Sequence, residues 1–126
     1  MQIVVMRMKI LLGVGVALVA GTLIVGMASA QQDGHAEGMR VYAKWCSHCH
    51  DPGVEHPGTL ALTAKYDGVK SGVLLEWTDL RPELTSTFVR TGISIMPFFR
   101  KTEISDRELA ALAAYLARNS TGPSGQ

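Results

Sequence analysis

The stretch WCSHCHDPG, Trp45 to Gly53, carries both cysteines of a 126-residue chain and two of its four histidines. Its spacing, Cys46-x-x-Cys49-His50, admits three chemistries. Cys46 and Cys49 could form a dithiol–disulfide couple. They could bind zinc together with His50 and one of His35, His48 or His56. Or they could attach a c-type haem, the reading that gives every residue of the pattern a role. Two thiols three residues apart can each form a thioether with one vinyl group of a porphyrin. The imidazole directly after the second thiol is then held beneath the iron as its proximal ligand.

The residues upstream help to choose among these. MQIVVMRMK places Arg7 and Lys9 ahead of an apolar, uncharged run from Ile10 to Gly26. MASA follows, with Ala28 and Ala30 in small-x-small positions. This order predicts a Sec signal peptide over residues 1–30, cleaved after Ala30 and delivering the mature chain to the periplasm. An uncleaved membrane anchor through residues 10–26 is the alternative, although that run is short for a spanning helix and rich in glycine. In an oxidising compartment, two cysteines at this spacing are expected to be oxidised or covalently occupied. A thioredoxin-like dithiol would need a βαβ context that the chain lacks. A structural zinc site would need a second pair of ligands. Haem attachment is the reading retained.

Composition sets limits. The formal charge is +1, and removing Arg7 and Lys9 leaves ten basic against eleven acidic residues. That balance carries no electrostatic footprint of nucleic-acid binding. One small, aromatic-poor domain has a thin core and leans on a cofactor or cross-link for stability.

The mature chain reads as all-α. Residues 31–36 are expected to be a flexible polar tail. EGMRVYAKWC then predicts a first helix, with Met39, Val41 or Tyr42, and Trp45 recurring at helical spacing. DPGVEHPG is expected to be loop, and Thr59 to Trp77 a short helix, a loop and a second short helix. TDLRPELTSTFVRTG predicts a helix with Pro82 in its first turn and Gly92 at its stop. ISIMPFFRK is loop, forced by Met96-Pro97. The last helix is marked by a capping box, Ser105 with Glu108. Leu109, Leu112, Ala113 and Leu116 form its apolar stripe. Residues 37–119 thus make the domain, and 120–126 a flexible tail.

The sixth iron position decides between a carrier and a haem enzyme such as a peroxidase. An open iron binds small ligands; a second strong protein ligand closes that route. Met96 is the only methionine after the motif and lies on a loop between two helices. It is therefore the candidate distal ligand. The competing reading makes it a core side chain. His56 is tethered too closely to His50 to reach the far face easily, and Met39 is expected to pack against the core.

With these residues in hand, the chain resembles a class I c-type cytochrome over Glu37 to about Asn119. Gly38, Tyr42 and Cys46 match the family's Gly-x3-aromatic-x3-Cys lead-in. Leu112 and Tyr115 match its Leu-x2-aromatic pair on the C-terminal helix, and Met96-Pro97 its ligand loop. The resemblance implies a small cytochrome c fold in which the two terminal helices cross, with one covalent haem c. It also implies that the Pro57 carbonyl accepts from the second nitrogen of His50; Pro52 is the weaker candidate. Thr59 to Asp79 departs from the family pattern, so propionate contacts do not carry over. Tyr66, Trp77, Arg81 and Arg90 are candidates there as possible donors, against core packing for Trp77 and solvation for the arginines.

HPGTLAL and MPFFRKTEISD are further similar to cytochromes that partner flavoprotein dehydrogenases of alkylphenols, of the 4-cresol dehydrogenase (p-cresol methylhydroxylase) and eugenol hydroxylase type. That similarity implies a flavin- or quinone-containing dehydrogenase as electron donor and a downstream redox protein as acceptor. A general diffusible cytochrome c is the alternative. Phe98, Phe99, Arg100 and Lys101 are candidates for the partner surface, an apolar anchor with a charged rim. No nucleophile–base pair or spaced carboxylates point to catalysis by the chain itself.

Overall fold

The computed structural model of the chain describes residues 32–121. The expected signal peptide, its cleavage point and the alternative anchor at 10–26 lie outside these residues. Among the described residues, no helix is long and apolar enough to cross a membrane.

The architecture is helical, as the sequence predicts. Helix α1 spans residues 32–45, α2 Ser47–His50, α3 Pro57–Tyr66, α4 Pro82–Thr91 and α5 Asp106–Leu116. Single 3-10 turns lie at Leu74–Glu76 and Ala117–Asn119. The only extended pairing among the described residues is an isolated bridge between Ile93 and Met96.

Each helix boundary has a local cause. Pro57 and Pro82 open α3 and α4, where a missing N–H costs nothing and φ is already helical. Gly92, at φ 70°, ends α4. The Ser105 hydroxyl accepts from the Glu108 N–H at 3.3 Å, and the Glu108 carboxylate accepts from the Ser105 N–H at 2.8 Å. This is the reciprocal box expected from the sequence.

Two helices cross where the sequence placed its glycine. A Cβ on Gly38 would lie 2.8 Å from the Ala111 carbonyl carbon and against the Tyr115 side chain of α5. Only a bare Cα allows the backbones this close. Tyr42, one turn on, sets its ring 5.9 Å from that of Tyr115. Val41, Tyr42, Trp77, Leu80, Val89, Ile104, Leu109, Leu112, Tyr115 and Leu116 form one core. It draws on α1, α4, α5 and the 70s loop, so it can form only when distant parts of the chain meet. Ile104 and Leu112 are completely buried.

Three expectations are corrected. Residues 32–36 are helix rather than tail: α1 continues through them, and the His35 ring meets Tyr115 edge-on at 5.2 Å. Met39, expected to pack, is half-exposed, because Val41 and Tyr42 take the inward face. At the other end, the Ser120 hydroxyl donates to the Leu80 carbonyl and the Thr121 N–H to Thr78, so the chain remains anchored to Thr121. Residues 122–126 lie outside the described part.

Candidate functional site

Cys46 closes α1, and the chain turns directly into α2. The N–H groups of Cys49 and His50 both donate to the Cys46 carbonyl, at 3.1 and 2.9 Å. Both cysteines are free thiols. Cys46 packs against the core, while Cys49 is exposed. Burial, then the neighbouring Cys49, pushes the Cys46 thiol up to about 12. A thiol that is hard to ionise is a poor attacking group for disulfide exchange, which weighs against a redox dithiol. Among the described residues, no three His, Cys, Asp or Glu side chains converge as metal ligands would. That weighs against zinc.

The His50 ring is partly buried, and that burial lowers its pKa from the ordinary imidazole value, favouring the neutral form. Its Nδ1 is buried with no hydrogen-bond partner among the described residues. The hydrogen bond expected to the Pro57 carbonyl is therefore not seen. Instead Gly58, the next residue, packs on the ring edge: a Cβ there would sit 2.7 Å from Cε1 and 2.9 Å from Nδ1.

The Met96 loop is built to a fixed shape. Ile93 and Met96 exchange backbone hydrogen bonds at 3.1 and 2.9 Å, closing a tight turn with Ser94 at φ 54°. A side chain at Gly92 would strike the Met96 carbonyl and the Phe98 N–H, so the turn needs glycine for space as well as for φ. The Phe99 N–H donates to the Val89 carbonyl at 2.8 Å, and Arg90 donates to the Phe99 carbonyl at 3.0 Å. Phe99 then meets Trp45 edge-on at 5.7 Å. Trp45 precedes Cys46, so this aromatic contact ties the Met96 loop to the start of the CxxCH turn. Met96 itself is half-buried against the same core as Cys46. An open recess of about 390 Å³ runs along the loop, lined by Thr91, Gly92, Ile93, Ser94, Met96, Pro97 and Phe98. None of Cys46, Cys49 or His50 lines it.

These residues fit a covalent haem. The two thiols are unpaired, and the His50 ring is partly buried with its Nδ1 shielded and without a partner. The thioether is half-buried on a rigid loop that packs on the core shared with Cys46.

The other predicted contacts divide. The Trp77 indole N–H already donates to the Ser71 carbonyl at 2.7 Å, and the ring is buried. Arg90 is committed to the Phe99 carbonyl and to Asp106 at 2.9 Å. Tyr66 is half-buried, its ring 5.5 Å from Trp77 and edge-on to it. Arg81 is exposed. Of the candidate partner residues, Phe98 is 55% exposed, whereas Phe99 is turned into the core. Lys101 pairs with Asp106 at 2.7 Å, and the Arg100 side chain is exposed. Sequence reasoning missed Ile93 and Ile95, exposed on the same loop as Phe98. Their signal was available: two isoleucines in a loop already fixed by Met-Pro.

A family model described as cytochrome c oxidase, cbb3-type, subunit III matches residues 33–116. A curated relative is the 4-cresol dehydrogenase [hydroxylating] cytochrome c subunit of Pseudomonas putida. It is 34% identical over 110 residues, covering 86% of this chain and 83% of the relative. No solved structure matches.

Proposed function

The chain belongs to the cytochrome c family whose description is cbb3-type oxidase subunit III, and from that premise we propose that it is an exported electron carrier serving a flavin-containing dehydrogenase of the alkylphenol type. Cys46 and Cys49 would hold one haem c by thioethers, and His50 and Met96 would ligate its iron. When bound, that group supplies one-electron chemistry at its iron. The residues of the chain hold it and tune it. Partial burial of the His50 ring favours its neutral form, the form that has a lone pair to offer. The Met96 turn, locked by Gly92 and the Phe99 contacts, presents a thioether without reorganising, as fast electron transfer requires.

The observation that supports this reading best is the arrangement of the CxxCH residues: two unpaired thiols beside an imidazole whose Nδ1 is buried without a partner. The dehydrogenase partner is supported by the relative, a cytochrome subunit matched over most of both chains. Ile93, Ile95 and Phe98 provide an apolar docking patch beside Met96, with Arg100 as charged rim. The carrier works in the periplasm, taking electrons from the dehydrogenase and passing them to a downstream redox protein.

The test is isolation from the native periplasm. A low-spin spectrum with a methionine-to-iron charge-transfer band, and co-purification of a flavin-bearing chain, are expected. A high-spin iron that binds carbon monoxide at once would overturn the ligation. A low-spin protein that co-purifies with nothing would make it a general diffusible carrier.

A further inference from the structure

The α2 helix has only four residues and cannot hold its own geometry. Its last carbonyls have no successors within the helix to accept from, because Asp51 leaves it in an extended conformation, φ −69° and ψ 160°. The partners come from the first turn of α3 and the residue before it. His56 Nδ1 donates to the His48 carbonyl at 3.0 Å. The Thr59 hydroxyl donates to the Asp51 carbonyl at 2.9 Å, and Thr59 is 6% exposed. Between them, Gly58 lies against the Cys49 carbonyl and the His50 ring, where a Cβ would be 2.6 Å and 2.7 Å from the nearest atoms.

Three residues of the run His56-Pro57-Gly58-Thr59 therefore clamp the carbonyls of His48, Cys49 and Asp51, on either side of His50. Thr59 is itself held: the Thr63 hydroxyl donates to its carbonyl at 2.8 Å, and Gly72 packs on the pair with no room for a side chain. The clamp is thus anchored in the body of α3 and in the 70s loop. The ring edge that meets Gly58 carries Nδ1, so the close-packed residue 58 limits how far the imidazole can turn about its Cβ–Cγ bond.

We propose that His56, Gly58 and Thr59 are positioning residues that set the rotation of the His50 imidazole. Gly58 acts by close packing on the ring, and His56 and Thr59 by fixing the carbonyls on either side. The inference rests on His50 being the proximal ligand. Groups outside the ligand set of a metal commonly tune it by orienting the ligands.

The test uses the full chain, matured with its haem, as wild type, Thr59→Val, Thr59→Ser and Gly58→Ala. Haem-methyl NMR shifts of the oxidised protein report the orientation of the axial imidazole plane. A role confined to folding would lower Tm without moving them. Thr59→Val is expected to keep a full low-spin spectrum but redistribute the methyl shifts. It is also expected to change the oxidised-to-reduced equilibrium constant at least about threefold, or about 28 mV at 59 mV per tenfold. Thr59→Ser is expected to restore both. Gly58→Ala is expected to act in the same way more strongly, or to lose haem attachment. Unchanged methyl shifts and potential in Thr59→Val, with Tm lowered or not, would overturn the positioning role. A wild-type protein without a low-spin spectrum would instead overturn the ligation beneath it, so the two failures are told apart by the wild type alone.

Discussion

Replacing Gly38 by alanine isolates the contact on which the fold closes. The new Cβ would stand 2.8 Å from the Ala111 carbonyl carbon and 2.5 Å from the Tyr115 Cβ. Ordinary carbon–carbon contact is about 3.5–4.0 Å, so the helices must separate by roughly 1 Å. No rotamer change relieves this, because the obstructing atoms are backbone or Cβ. Overpacking of a tight core costs about 1–3 kcal/mol. Against it stands the gain from removing a helical glycine, at most about 1 kcal/mol. The net loss is about 1–2 kcal/mol, and at ~4–8 °C per kcal/mol for a domain of this size Tm falls by roughly 5–15 °C. Gly34, on the same helix, has nothing within 4 Å of its would-be Cβ. Gly34→Ala therefore carries a similar propensity gain with no clash. Thermal unfolding of the two oxidised holoproteins, followed by far-ultraviolet circular dichroism, should separate them. A Gly38→Ala protein as stable as Gly34→Ala would refute the close crossing of α1 and α5.

Other outcomes can be measured on the same material. Met96→Ala should abolish the methionine-to-iron charge-transfer band and admit carbon monoxide, while leaving covalent haem in place; visible spectra decide it. Ser105→Ala removes the hydroxyl half of the α5 capping box, keeping the backbone N–H that donates to Glu108, and should cost about 1 kcal/mol in denaturant unfolding. The Ser105 backbone and hydroxyl hold the Glu108 carboxyl below its ordinary pKa, as Lys101 and Arg90 do for Asp106. Because both folded-state values are depressed, their stabilisation is present above the ordinary carboxylate range and fades as pH falls through it. Ser105→Ala should therefore flatten the acid limb of stability against pH only in part, because the backbone N–H of residue 105 still reaches the Glu108 carboxylate and Asp106 keeps its partners. Phe98→Ala should leave Tm nearly unchanged but slow reduction by the dehydrogenase in stopped-flow mixing. Phe99→Ala should do the reverse first, losing about 2 kcal/mol or more as its packing on Trp45 and the core is removed.

Much of the molecule was legible because its causes are local. The CxxCH spacing is a statement about one turn of chain. Pro82, Gly92 and the Ser105–Glu108 box act through residues no more than four apart. The stripe Leu109, Leu112, Ala113 and Leu116 follows from helical periodicity, and all four are buried. Gly38 and Tyr115 were paired in advance only because the family pattern records a long-range contact that no local rule contains.

What the sequence by itself determined is therefore the helical class, the bounds of α4 and the start of α5, and the residues put forward as candidates for the chemistry. The tertiary structure decided which of two adjacent, similar side chains is used. Phe99 turns inward and Phe98 outward because the Phe99 N–H is tied to Val89 and its ring to Trp45. The Trp77 N–H goes to Ser71, and the Arg90 guanidinium to Phe99 and Asp106. The helix extends to residue 32 with His35 docked on Tyr115, a partner eighty positions along the chain. The α3 turn around Gly58 grips the residues flanking His50. Each of these choices depends on atoms brought together only when the core closes, and the local pattern of a chain holds no information about which distant group will arrive.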